Sequence, residues 1–99
     1  YEVIKINSIT IFDLLKLNNP KIIDIRNSYN YSNGHIPGAI NINGYYLLDH
    51  CERYLNKLDT YYIYCQSGSR SKIIVNELIK MGYNVVNISG GYNSYLFRK

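Results

Sequence analysis

The chain has 99 residues and a formal net charge of +4 at neutral pH, a length that suits one domain with one hydrophobic core. Its lysines form no basic run, which argues against a nucleic-acid partner. No apolar stretch approaches the roughly 20 residues of a membrane-spanning helix, and the opening residues lack the pattern of a signal peptide. We therefore expect a single domain over residues 1–99, with no membrane partner and a cytoplasmic location.

The two cysteines and two histidines show no metal-ligand spacing. Cys51 and Cys65 lie far apart and neither belongs to a CxxC pair, so neither a disulfide framework nor a zinc site is indicated. We expect reduced thiols, as in the cytosol, and no metal or other cofactor. Cys51 lies on the apolar face of a predicted helix and is most simply a small buried hydrophobic residue.

Apolar segments alternate with helical patterns along the chain. Strands are predicted at residues 3–6, 21–25, 39–42, 60–64 and 85–88, since these short runs are rich in residues of high β propensity. Each is short and continuous in its apolar character, as buried strands of parallel sheets are.

Helices are predicted between these strands. The first is capped by Ser8, the second spans about 45–57, the third spans 71–81 and ends at Gly82, and a short helix closes the chain. Apolar residues recur at helical spacing at Ile11, Leu14 and Leu15 in the first helix. In the second helix Leu47, Cys51, Leu55 and Leu58 share one apolar face, and in the third Ile74, Leu78 and Met81 are predicted to point inward.

This alternation predicts an α/β fold with a mostly parallel central sheet of about five strands and helices on both faces. In such sheets, ligands bind at the carboxyl ends of the strands, near the point where the strand order reverses. Cys65 directly follows the predicted strand 60–64. The sequence therefore places this thiol at the edge where a ligand is expected.

The segment CQSGSRS, residues 65–71 and hereafter the cysteine loop, suits an anionic sulfur. Gly68 and its small neighbours allow successive backbone N–H groups to point inward as an anion-binding nest. The helix that follows adds the positive end of its dipole. Cysteines in such settings have pKa values of about 3.5–7.5 instead of about 8.5. The loop therefore predicts a nucleophile active near neutral pH without a neighbouring base.

Four segments resemble, in order and spacing, the rhodanese homology domain. They are DIR at 24–26, GHIPGAIN at 34–41, the cysteine loop at 65–71 and GGYNSY at 90–95. The combination of GHIPGA with a C-x-x-G-x-R-S loop after a buried strand is specific, and the resemblance covers nearly the whole chain. It implies the rhodanese-like three-layer fold.

The resemblance also implies an enzyme, a sulfurtransferase of the thiosulfate sulfurtransferase type. Cys65 would take the sulfane sulfur of thiosulfate or of a persulfide donor, and the resulting persulfide would pass it to cyanide, a thiol or a thioredoxin-like protein. Arg70 would bind the anionic donor, and Ser71 would open the helix. Asp24 and Arg26 would brace the loop. The residues expected to bind the substrate are Gln66, Ser67, Gly68, Ser69, Arg70 and Ser71.

Two other functions remain open at this point. Cysteine-dependent phosphatases and arsenate reductases have a C-x5-R loop, whereas four residues separate Cys65 from Arg70, and the tighter loop favours sulfur over phosphate. The second alternative is a non-enzymatic sulfur carrier or protein-interaction module. The presence of the loop cysteine favours the enzyme. His35, within GHIPGA, is expected to be a hydrogen-bonding imidazole rather than a metal ligand.

Overall fold

The computed structural model describes residues 7–98. Its strands are Ser8–Ile9 (β1), Lys21–Asp24 (β2), Ile40–Asn41 (β3), Thr60–Tyr64 (β4) and Asn84–Ile88 (β5). They form one sheet in the order β1-β5-β4-β2-β3, and every neighbouring pair is parallel. The predicted parallel α/β sheet of about five strands is thereby confirmed.

In residues 7–98, five helices lie between these strands and a sixth follows β5. They are Ile11–Leu14 (α1), Ser28–Ser32 (α2), Gly44–Asp49 (α3), Cys51–Tyr54 (α4), Ser69–Lys80 (α5) and Gly91–Leu96 (α6). In this part of the chain, no helix has the length and apolar character needed to span a membrane.

Alternation along the central strands divides the core into two layers. Ile23 and Ile63 pack with buried residues of α3, α4 and α5 on one face of the sheet. Their neighbours Ile22 and Tyr64 point the other way and pack with buried residues of α1. Because successive side chains of a strand face opposite sides, both faces bury apolar area, and the three-layer arrangement follows.

The N-terminal predictions need correction. The strand predicted at 3–6 lies outside the described residues, and Ser8, predicted to cap the first helix, instead pairs with Asn87 in the sheet. Thr10 caps α1, and its hydroxyl oxygen accepts a hydrogen bond from the N–H of Asp13 at 3.2 Å. Both positions carry a hydroxyl side chain, so cap preference alone does not distinguish them.

The helix predicted at 45–57 is two short helices. The helix is interrupted at His50, which has φ −131°, and the backbone is already extended at Leu55. Leu47 and Leu55 are buried as predicted, but Leu58 is 90% exposed, so its inward prediction was wrong. Helical spacing no longer applies to Leu58, since α4 ends at Tyr54.

The helix after the cysteine loop starts earlier than the predicted residue 71. It begins at Ser69 with Gly68 as its N-cap, so Ser71 does not open it. Met81 follows the last helical residue and is 44% exposed, contrary to prediction. The short helix α2 was not predicted; it has no buried residue, and its start is marked only by the capping side chain of Asn27.

The strand order reverses between β2 and β4, which are neighbours in the sheet. From β2 the chain continues to β3 on one side, whereas from β4 it continues to β5 on the other. Asp24 and Tyr64, the last residues of the two strands, are paired in register. The residues that follow them, including Arg26 and Cys65, therefore lie at the crevice where open α/β sheets bind ligands.

Candidate functional site

The sulfur of Cys65 lies inside the curled cysteine loop. The thiol residue is only 5% exposed, and its Sγ accepts hydrogen bonds from the backbone N–H groups of Gly68 at 3.2 Å and Ser71 at 3.3 Å. Gly68 has φ +95°, a conformation that side chains other than glycine rarely adopt. This turn lets the chain reverse around the sulfur and enter α5 at once.

Hydrogen bonds to the sulfur decide the charge of this thiol. Burial raises the pKa of Cys65, because it disfavours the charged form. Hydrogen bonds from the N–H groups of Ser71, Gly68 and Ser67 lower that pKa, whereas the single proton of the Ser71 hydroxyl is donated to Asn87. The hydrogen bonds outweigh burial, so the pKa lies below the ordinary value and the thiolate is favoured.

A buried ion pair lies beside the loop. Asp24 is fully buried, and Arg26 donates to both of its carboxylate oxygens at 2.8–3.1 Å. The same guanidinium donates to the side-chain oxygen of Gln66 at 3.0 Å and to the carbonyl of Gly34 at 2.7 Å. Arg26 therefore joins the end of β2, the turn at Gly34 and the cysteine loop, which is the contact that a bracing role requires.

The start of α6 holds the other side of the loop. The N–H groups of Tyr92 and Asn93 donate to the carbonyl oxygens of Cys65 at 2.9 Å and Gln66 at 3.0 Å. The side chains of Gln66 and Asn93 are also hydrogen-bonded, at 2.6 Å. These contacts fix the loop carbonyls outward, which leaves the N–H groups facing the sulfur.

The remaining predicted binding residues lie at the rim. Ser67, Ser69 and Arg70 are exposed, and the two serine hydroxyls lie 3.3 Å apart. The guanidinium of Arg70 lies 5.8 Å from the centre of the Tyr45 ring. The structure therefore brings the N–H groups of Gly68 and Ser71 to the sulfur and leaves the guanidinium of Arg70 exposed to solvent.

Sequence reasoning missed several residues that support the loop. Tyr64 is fully buried, and its hydroxyl accepts the N–H of Ile36 at 3.0 Å, which ties β4 to the turn after Gly34. Burial raises the pKa of Tyr64, so this phenol stays protonated. Asn87 and Asn93 contact the loop from β5 and α6. Asn93 lies within the GGYNSY segment, but the resemblance assigned it no role, and no motif contained Asn87.

Two residues predicted to be structural match their predictions. The ring of His35 lies 3.9 Å from that of Tyr31, and its Nδ1 is 2.9 Å from the carbonyl of Tyr31. Cys51 is 7% exposed, belongs to the core and is not in a disulfide. Among residues 7–98, no three His, Cys, Asp or Glu side chains are grouped to hold a metal ion.

The family of the chain follows from its match to known proteins. The family described as "Rhodanese-like domain" matches residues 12–97, almost the entire described chain. The parallel α/β sheet, the loop thiol and this match agree, and the chain belongs to the rhodanese-like domain family.

Three individual proteins show how similar the chain is to known relatives. A Staphylococcus saprophyticus protein, SSP1007, superposes with a TM-score of 0.82 at 35% identity, over 91% of this chain and 93% of that one. The thiosulfate sulfurtransferase of Pseudomonas aeruginosa gives 0.71 at 25% identity, over 93% of this chain and 18% of that one. The Bacillus subtilis (strain 168) "Putative sulfur carrier protein YrkF" is 33% identical over an alignment of 78 residues, and the alignment covers 75% of this chain. The match spans 40% of the length of that curated relative.

Proposed function

We propose that the chain is a sulfurtransferase that carries sulfane sulfur as a persulfide on Cys65. The observation that carries the proposal is the sulfur of Cys65 held by the N–H groups of Gly68 and Ser71 inside a tight loop. Donors aimed at a sulfur stabilise negative charge on it. The sulfurtransferase among the structural relatives supports the same reaction class.

The reaction divides into two transfers. In the first, the thiolate of Cys65 attacks the outer sulfur of thiosulfate, the sulfur–sulfur bond breaks, and sulfite leaves with the electron pair. In the second, an acceptor such as cyanide attacks the terminal sulfur of the persulfide. Thiocyanate then forms, and the electron pair of the broken bond returns to the Cys65 sulfur as thiolate. No external oxidant or reductant is required, since each step exchanges one bond for another.

The loop residues have separate roles in this scheme. The N–H groups that now hold the Cys65 thiolate would also stabilise the charge on the persulfide. The exposed Arg70 would attract the anionic donor at the entrance, because a guanidinium binds oxyanions by charge-assisted hydrogen bonds. Asp24 and Arg26 would keep the loop in place through Gln66. A persulfide donor or a thiol acceptor, including a thioredoxin-like protein, fits the same chemistry. Since the thiol must stay reduced, we also propose the cytoplasm as its location.

A sulfur-carrier role is the second candidate. It is favoured by the curated relative, described as a putative sulfur carrier, which is longer than this chain. In that role Cys65 would still hold a persulfide, but a partner protein would supply or receive the sulfur. Turnover with small molecules alone distinguishes the two, because a carrier dependent on its partner would accept sulfur once and stop.

The test is thiocyanate production from thiosulfate and cyanide. Cys65→Ser should abolish turnover and leave the fold intact, because a hydroxyl is similar in size but a far weaker nucleophile. Cys51→Ala is the matched control, which removes the other thiol and should keep turnover. Turnover by Cys65→Ser would exclude Cys65 as the carrier.

A further inference from the structure

Strand β5 carries a buried amide directly beneath the cysteine loop. Asn87 is 5% exposed, and it lies one strand position beyond Val86 and two beyond Val85, a core residue that packs with α5. Because strand side chains alternate, Asn87 shares the face of Val85 and points toward the start of α5. A buried amide is costly unless it is hydrogen-bonded, so its partners indicate why it is there.

Both partners of Asn87 belong to the loop. Its Nδ2 donates to the carbonyl of Gly68 at 3.2 Å, and its Oδ1 accepts from the hydroxyl of Ser71 at 2.5 Å. Gly68 and Ser71 are also the two residues whose N–H groups donate to the Cys65 sulfur. One side chain from a distant strand therefore fixes both donors at once.

An amide suits this position because it has a donor and an acceptor side by side. The Gly68 carbonyl accepts the N–H of Lys72 at 3.2 Å and takes the amide N–H as a second donor, and the single proton of the Ser71 hydroxyl needs an acceptor. Neither a carboxylate nor an aliphatic side chain supplies both. From this we infer that Asn87 is a positioning residue, which holds the N–H groups of Gly68 and Ser71 on the reacting sulfur. The inference deepens the proposed function, since it rests on that function for the reacting role of Cys65.

The test measures how the reactivity of the Cys65 thiol depends on pH, and it involves no sulfur transfer. The alkylation rate of Cys65 by iodoacetamide is followed against pH, and each cysteine is read separately by peptide mass spectrometry. Ser71→Ala, which removes the contact between residue 71 and Asn87 and should itself raise the midpoint, is compared with wild type and with Ser71→Ala/Asn87→Leu, which also removes the remaining contact to the Gly68 carbonyl. In this background no freed hydroxyl can turn to the sulfur and replace the lost contacts. Cys51, buried in the core, reports in the same sample whether the fold has opened.

The inference predicts that the Asn87→Leu change raises the midpoint of the Cys65 profile while Cys51 stays protected. For each pH unit of midpoint shift, the thiolate fraction well below the midpoint falls about tenfold. Val85→Ala, which removes core contacts on the same strand face, should leave the midpoint in place. An unchanged midpoint in the folded Asn87 variant, or an equal shift in Val85→Ala, would overturn the inference.

A second substitution keeps the inference testable if the Asn87→Leu variant does not fold. Asn87→Ser, in the same Ser71→Ala background, keeps a hydroxyl donor on a shorter side chain, which weakens the contact with the Gly68 carbonyl. It should raise the midpoint in the same direction by a smaller amount, and no shift would again overturn the inference. If the wild-type protein takes up no sulfur from thiosulfate or from a persulfide donor while the midpoint shifts in the variants, the proposed function is wrong and the positioning of the thiol by Asn87 stands.

Discussion

Two opposing influences act on the Cys65 thiol. Burial disfavours its charge, whereas the hydrogen bonds from Ser71, Gly68 and Ser67 favour it, and the net effect is a lowered pKa. The backbone N–H groups of the loop supply the hydrogen bonds that stabilise the thiolate. The reactivity of the residue is therefore a property of the loop conformation.

The lowered pKa predicts the pH dependence of sulfur uptake. The rate of persulfide formation should rise with a midpoint at the pKa of folded Cys65, which lies below the ordinary thiol value. The same lowered pKa makes the free energy of unfolding depend on pH. The stabilisation from the thiolate is complete above the pKa of the unfolded thiol, and it is lost as pH falls through the pKa of the folded thiol. Stopped-flow measurement of persulfide formation against pH tests this. A midpoint at or above the ordinary value would contradict it.

Arg70 should matter for charged donors only. Arg70→Ala should lower the thiosulfate rate about ten- to a hundredfold, as expected for loss of a charge-assisted hydrogen bond. A neutral sulfane-sulfur donor should be nearly unaffected. Lys72→Ala, which removes a nearby exposed cation of α5, is the control for the general electrostatic attraction of anions to the protein surface. Equal losses with both donors would instead assign Arg70 a structural role.

At the scale of elements, the site is formed where α6 meets the cysteine loop. Gly91 has φ +56°, and a Cβ there would overlap the carbonyl oxygen of Cys65 and lie 2.8 Å from that of Gln66. The close approach allows the N–H groups of α6 to reach the loop carbonyls. A side chain at this position would separate the two elements.

Gly91→Ala is accordingly expected to loosen the loop. Its cost should be about 1–2 kcal/mol for the left-handed backbone plus about 1–3 kcal/mol for the overlap, with slower sulfur uptake. Gly38→Ala is the matched control: Gly38 has φ +88°, but nothing lies within 4 Å of its added Cβ. Denaturant unfolding of both variants gives the two costs. If they are equal, the contact between α6 and the loop does not contribute.

The sequence predicted some elements of the fold and some parts of the site but not others. Strands β2, β4 and β5 were predicted, since central parallel strands are continuous apolar runs, and the cysteine loop is contiguous in sequence. The break at His50 and the polar helix α2 were missed because neither alters an apolar period. Asn87 and Asn93 were missed for another reason. Their partners are remote in sequence, and only the fold brings them together.

For the molecule as a whole, the pair of Asp24 and Arg26 ties separate segments to one core. Its side chains are 0% and 5% exposed. Arg26→Ala would leave a buried carboxylate without its partner and should lower the free energy of unfolding by about 3–5 kcal/mol. Lys21→Ala breaks the exposed pair with Asp59, at 2.7 Å, and should cost at most about 1 kcal/mol. Urea unfolding of both variants tests the contrast, and similar losses would show that the buried pair does not stabilise the fold.

The central claim is that Cys65 carries sulfur. The most direct measurement is the intact mass of the reduced protein before thiosulfate, after thiosulfate and after subsequent cyanide, with Cys65→Ser in parallel. The account predicts a gain of one sulfur atom that cyanide removes and that the variant never acquires. The absence of any gain, with thiosulfate and with a persulfide donor alike, would contradict it.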